Sequence, residues 1–172
     1  MLENIKEICD PADIDYLISN HSEPDHSGSL PFIADIAKNA TVIASPNGEK
    51  NLTAYYKRKF NLKTVKTGDT LNTGNYDFSF VLTPMVHWPD NMITYLPQKK
   101  VLFSNDSFGQ HQATEARIDD NIGLDAMLSR ARDYYANIVL PFGMQVKKEL
   151  AETANFEFEY IAPSHGVIGI PL

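Results

Sequence analysis

The sequence is short of cysteine, of tryptophan and of positive charge. Among 172 residues there is one cysteine, Cys9, so no internal disulfide can form and no thiolate zinc finger can be built. Lys and Arg number 15 against 22 Asp and Glu, a formal net charge of −7. A chain with no basic excess has few counterions to release from phosphates, which argues against nucleic acid as the main partner. No apolar run approaches the roughly 18 residues that a membrane span needs, and the opening MLENIKEICD does not read as a signal peptide. No GxGxxG or other phosphate-cradling glycine loop occurs. Repeats, linkers and biased segments are also lacking. What is present is 43% hydrophobic and of ordinary globular composition, so one domain over 1–172 in a soluble, cytoplasmic setting is expected.

Two hydrophobic periods alternate along the chain. Leu2, Ile5 and Ile8 suit a short opening helix, and DYLIS (15–19) reads as a strand running into Asn20 and His21. Leu30 to Lys38 has near-helical spacing, TVIAS (41–45) reads as a strand, and Asn51 to Phe60 as a helix led in by Pro46 and Gly48. The middle is richer in strands: YDFSFVLTP (76–84), MITYLP (92–97) and KVLFSND (100–106). Helices are expected over Gly123 to Asn137, with Leu124, Met127, Leu128, Ala131 and Tyr135 on one side, and over Gly143 to Ala154. EFEYIAPS (157–164) closes the pattern as a strand. The order predicts an α/β fold with a mixed sheet.

The strongest chemical signal is HSEPDHSGSLP, positions 21–31. His21, Glu23, Asp25 and His26 are four potential metal ligands within six residues. Spread around a helix they would point apart, whereas an irregular loop held by Pro24 and Gly28 lets them converge on one ion. Alone, the segment also reads as an exposed polar turn capped by Ser27 or Ser29. Three further residues shift the balance: His87 before the WPDN turn, Asp106 at the end of KVLFSND, and His165 in APSHG. Four of the five histidines thus follow strands, where α/β sheets place their sites, and a joint metal site is expected.

The spacing is 60 residues between His26 and His87, 18 between His87 and Asp106, and 58 between Asp106 and His165. This resembles the metallo-β-lactamase superfold, an αββα sandwich. More narrowly, HSEPDHSGSLP, PMVHWPDNM, LFSNDSFGQH and APSHGVI resemble the diiron domain of flavodiiron proteins, the oxygen and nitric oxide reductases. The resemblance implies two iron ions, with His21, Glu23 and His87 on one, Asp25 and His165 on the other, and Asp106 bridging. His26, a ligand in hydrolases of the superfold, would take an outer position here, hydrogen-bonded to a ligand rather than to metal. Zinc hydrolases usually have histidine where this chain has Glu23, and a carboxylate there favours iron or manganese. Two ferrous ions carry +4 and three carboxylates −3, so one hydroxide makes the cluster neutral and eases its burial. Tyr134 or Tyr135 resembles a family tyrosine that hydrogen-bonds near the open metal position, Tyr134 being the catalytic candidate. Trp88 is expected to wall the site, and His111 to be structural or exposed.

The resemblance also implies reduction of O2 to water, NO to N2O, or both. Flavodiiron proteins have strands before the segment matching MLENIKEICD and a flavodoxin-like domain after the last histidine, so the sandwich is expected to be incomplete at its N-terminus. With no flavin site visible, FMN is not expected on this chain, and electrons would come from a separate flavoprotein or rubredoxin-like donor. A homodimer or a complementing chain would cover the exposed sheet. Two other readings stand beside this one: a zinc-type hydrolase of the same superfold, and a non-catalytic metal-binding remnant or interaction subunit.

Overall fold

The structure, a computed structural model, describes residues 1–119 and 122–170. The chain divides into two compact units, Met1–Val65 and Lys66–Leu172.

The first unit is a three-stranded parallel sheet, order β1-β2-β3, formed by Tyr16–Ser19, Thr41–Ala44 and Leu62–Thr64. Parallel neighbours need crossover connections, and here helices supply them. The short α1 (Leu2–Lys6) opens the chain and buries none of its residues; Ile8, expected on its apolar face, lies beyond it and is exposed. A helical turn α2 (Pro24–Ser27) and helix α3 (Leu30–Ile36) link β1 to β2, and α4 (Pro46–Tyr56) links β2 to β3. Helix α4 starts five residues earlier than its apolar spacing predicts. Ser45 caps it by accepting from the Gly48 N–H at 3.0 Å, and Pro46 fits the first turn, where its missing N–H costs nothing. It stops at Tyr56 because Lys57 adopts a left-handed conformation. Val42, Ala44 and Leu52 form the core here, with Leu17, Leu30, Tyr56, Phe60 and Leu62 packed against them. Burying side chains of this size contributes roughly 1.5–3 kcal/mol each.

The second unit is a five-stranded mixed sheet, order β4-β5-β6-β7-β8, from Thr70–Asn72, Asp77–Leu82, Met92–Leu96, Val101–Asn105 and Tyr160–Pro163. The first four strands are antiparallel and β8 joins β7 in parallel. Strand β6 is buried at all five positions, which is why MITYL carries no alternation. Val81, Ile93, Tyr95 and Leu102 form one core cluster, against which Phe156 and Phe158 pack. Strands β3 and β4, of three residues each, escape sequence reading because so short a segment shows no period. Helix α5 (Leu124–Tyr134) passes through a π-turn at Tyr135–Val139 and a 3-10 turn at Leu140–Phe142 into α6 (Gly143–Thr153). Its inward stripe ends on Tyr134, which is buried; Tyr135, expected on that stripe, is exposed. No helix among the described residues is long and apolar enough to cross a membrane.

Candidate metal centre

Each unit carries its own group of potential ligands at the ends of strands. In the first unit, β1 leads through Asn20 to His21, at the C-terminal edge where parallel sheets gather their sites. The segment expected as an irregular loop contains a helical turn instead, Pro24–Ser27, with Glu23 at its N-cap. Pro24 favours the first helical position, and the Gly28 N–H closes the turn on the Pro24 carbonyl at 2.8 Å. His21 and Glu23 precede the turn; Asp25 and His26 ride on it. His21 Nε2 lies 3.2 Å from Glu23 Oε2, and His26 Nε2 lies 3.6 Å from Asp25 Oδ2. The His21 and His26 rings are 5.1 Å apart.

Helix α4 pins this segment. Asn51 Nδ2 donates to Ser22 Oγ at 3.0 Å, while Ser27 Oγ donates to the Ser22 carbonyl at 2.7 Å and pairs with the Tyr56 hydroxyl at 2.8 Å. Neither Asn51 nor Tyr56 stands out in the sequence, since pairing across 29 positions leaves no local pattern.

In the second unit the ligands surround Asp106, which is 1% exposed. Its Oδ2 lies 3.5 Å from His87 Nε2, and its Oδ1 lies 3.4 Å from His165 Nε2. One carboxylate therefore addresses an imidazole with each oxygen. The Tyr134 hydroxyl donates to Oδ1 at 2.9 Å. His111 is exposed, but its ring stands edge-on to Tyr134 at 4.9 Å and 6.1 Å from His165. Trp88 packs beside His87, ring centroids 6.2 Å apart.

Tight backbone places these side chains. His87 sits on the 83–91 loop between β5 and β6, closed by the Thr83 N–H on Asn91 O and the Met85 N–H on Trp88 O. Asp106 follows a bulge at Phe103/Asn105, a device that re-aims side chains at sheet ends. Met85, Asn105 and Phe108, all near ligands, have positive φ, a conformation costing non-glycine residues of the order of 1 kcal/mol each. The Asp106 and His165 loops are stitched together: the Gln110 N–H donates to the His165 carbonyl, Gln110 Oε1 accepts from the Val167 N–H, and Ser164 Oγ bonds Asn105 Oδ1.

The donor sets suit a metal of oxygen-and-nitrogen preference. Ligands that sit ~2.1 Å from a shared ion are about 3 to 3.4 Å from each other, and the nitrogen–oxygen separations above are close to that range. Separations of 3.4–3.5 Å are long for a hydrogen bond and ordinary for two ligands of one ion. No thiolate takes part, and carboxylate with imidazole suits iron or manganese. His26 is not set apart from the other candidates by its distance to Asp25.

The comparisons with known proteins agree with this donor chemistry. A sequence model described as "ODP family beta lactamase" matches residues 1–166. A nitric oxide reductase of Moorella thermoacetica is 40% identical over 171 residues, covering 98% of this chain and 43% of the relative. The rubredoxin oxygen:oxidoreductase of Desulfovibrio gigas superimposes with a TM-score of 0.94 at 38% identity, covering 98% of this chain and 43% of that one. The flavodiiron protein of Giardia intestinalis does so at 0.95 and 34%, covering 99% and 42%. The chain thus spans about two fifths of the length of these relatives. Matched over nearly all its length, with the metallo-β-lactamase-like fold of solved flavodiiron proteins, the chain belongs to the ODP beta-lactamase family.

Proposed function

We propose that the two units form one domain holding a binuclear iron centre, and that this centre reduces NO to N2O, O2 to water, or both. His21, Glu23 and His87 would hold one iron, Asp25 and His165 the other, with Asp106 shared. The observation that carries the reading is the Asp106 carboxylate, buried, with one oxygen towards His87 and the other towards His165. A carboxylate so placed is suited to bridge two ions, and Glu23, where zinc hydrolases of the superfold usually have histidine, favours iron over zinc. The names of the similar proteins, a nitric oxide reductase and a rubredoxin oxygen:oxidoreductase, support the same chemistry.

When bound, two ferrous ions supply two electrons, enough to convert two NO and two protons to N2O and water; O2 to two waters takes four. The chain's own residues do the rest. Asp106 and the imidazoles hold their positions through the stitched loops, so little reorganisation accompanies the reaction. The Tyr134 hydroxyl fixes the orientation of Asp106 and keeps a proton beside it. Trp88 walls the His87 side. Electrons for further turnovers come from a flavin- or rubredoxin-type donor. His26, beside Asp25 at 3.6 Å, is assigned an outer role.

Anaerobic loading with ferrous iron, elemental analysis and a single mixing with NO test the reading. Two irons per chain and one N2O per iron pair are expected. A chain that instead retains zinc and makes no N2O when loaded with iron would sink it and favour the hydrolase.

A further inference from the structure

The reaction proposed above consumes protons. Two NO, two H+ and two electrons, released as two ferrous ions become ferric, give N2O and H2O; O2 takes four H+ and four electrons to give two H2O. Yet Asp106 is 1% exposed and Tyr134 4% exposed. Protons need a route inward.

Glu149, on α6, is buried, with 5% of its surface exposed. Its Oε2 has no hydrogen-bond partner among the described residues, and no cation pairs with it there. Ser107, the residue after Asp106, lines the same cavity as Glu149. Two cavities meet at this one residue. The first, about 360 Å3, has a mostly apolar wall that includes Phe108, Leu128 and Val146, with Ser107, Tyr134 and Glu149 as its polar points. The second, about 260 Å3, is lined by Thr83, Met85, Gln145, Lys148, Glu152 and Glu149. In the first the groups able to hold a water are Glu149, Ser107 and the Tyr134 hydroxyl, and the second is edged by Gln145, Lys148 and Glu152.

We propose that Glu149 is a proton-relay residue: it takes protons from the cavity beside Lys148 and Glu152 and passes them, across the cavity it shares with Tyr134, to the hydroxyl that bonds Asp106. The inference rests on the function proposed above. The Glu149 carboxyl releases its O–H proton inward, directly or through the Ser107 hydroxyl, and is re-protonated from the outer cavity, so it ends each cycle unchanged. The groups facing it are few. Helix α6 itself brings Lys148 and Glu152, α5 brings Arg132 and the phenols Tyr134 and Tyr135, and the segments 82–85 and 107–109 bring no charged residue. Burial pushes the carboxyl up to about 7, with the neighbouring Ser107 side chain opposing it, so both protonation forms exist near neutral pH. A buried carboxyl kept only for packing has no need of two cavities and a titratable proton.

Glu149→Gln, similar in volume, tests the relay in the iron-loaded chain. Iron content and circular dichroism should match the unsubstituted protein. The single-turnover rate of N2O formation should fall at least tenfold, and the break in rate near pH 7 should flatten. Glu149→Asp should restore part of the rate with a shifted break, and it carries the test if the Gln variant loses iron or fold. Infrared difference spectra supply a readout apart from turnover: a carboxylic C=O band titrating near pH 7 that vanishes in Glu149→Gln. Rates within twofold of the unsubstituted protein at every pH, or no such band, overturn the relay and leave the diiron reading intact. An unsubstituted, iron-loaded chain that makes no N2O overturns the functional reading, and the relay falls with it.

Discussion

A carboxylate as buried as Asp106 is costly unless something balances it, and the structure surrounds it with two imidazoles and one phenol. Two cations would repay that cost; a fold alone would not require it. Asp106→Asn keeps the shape but replaces a two-oxygen anion with a neutral amide that has a single acceptor. The variant should bind less than half the iron of the unsubstituted chain by elemental analysis. Its metal-free form should be no less stable in urea, and stabler by up to about 2 kcal/mol, because a buried charge is gone. Glu149 makes the opposite kind of statement. Its value of about 7 in the folded chain lies above the ordinary 4.5, so between these pH values the folded form holds a proton the unfolded form has released. Its contribution is therefore complete below about pH 4.5, declines as pH rises towards 7, and is lost above. Between pH 5 and pH 8 the metal-free protein should lose up to about 3 kcal/mol more than Glu149→Gln does, measured as paired urea melts.

At the scale of elements, loops do the positioning and strands only carry them. Gly166 shows how tightly. Its φ is +93°, and a Cβ there would collide with the side chain of Gln110, whose amide holds the Val167 N–H and the Phe108 carbonyl. Gly166→Ala should cost about 2 to 4 kcal/mol, from left-handed strain and displaced hydrogen bonds, with iron binding weakened alongside; thermal melts and elemental analysis of the same samples check it. These elements also mark what was legible in the sequence. Strands β1, β2, β5, β6, β7 and β8 were readable because their apolar, β-branched and aromatic runs end at turn residues. The histidines and carboxylates were readable because ligand chemistry needs those residue types just past strand ends. Gln110, Asn51 and Tyr56 were not, for their partners lie far along the chain and amides and phenols have many other uses. The helical turn at Pro24–Ser27 was misread as loop because four residues cannot show a helical period, although Pro24 and Gly28 marked its limits. Between two adjacent tyrosines at the end of α5, only the π-turn beginning at Tyr135 and the bond to Asp106 select Tyr134.

For the whole molecule, the sharpest consequence concerns the two compact units, Met1–Val65 and Lys66–Leu172. Three of the proposed ligands, His21, Glu23 and Asp25, belong to the first, and His87, Asp106 and His165 to the second. If one centre draws on both, iron binds only the folded forms of the two together, and its binding free energy becomes stability that neither unit has alone. The net charge of −7 acts in the same direction, since two ferrous ions carry +4 and relieve repulsion among the carboxylates. Free ferrous iron at a hundredfold excess over its dissociation constant should add about 2.7 kcal/mol, and the loaded chain should unfold in one transition. Stripped with a chelator, the chain should melt lower, and hydrogen exchange should show residues 1–65 and 66–170 opening at different free energies. His21→Ala and His165→Ala, one in each unit, should each abolish the gain for both units. If iron protects one unit while leaving exchange in the other unchanged, the ligands are not shared, and the centre must be redrawn within that unit.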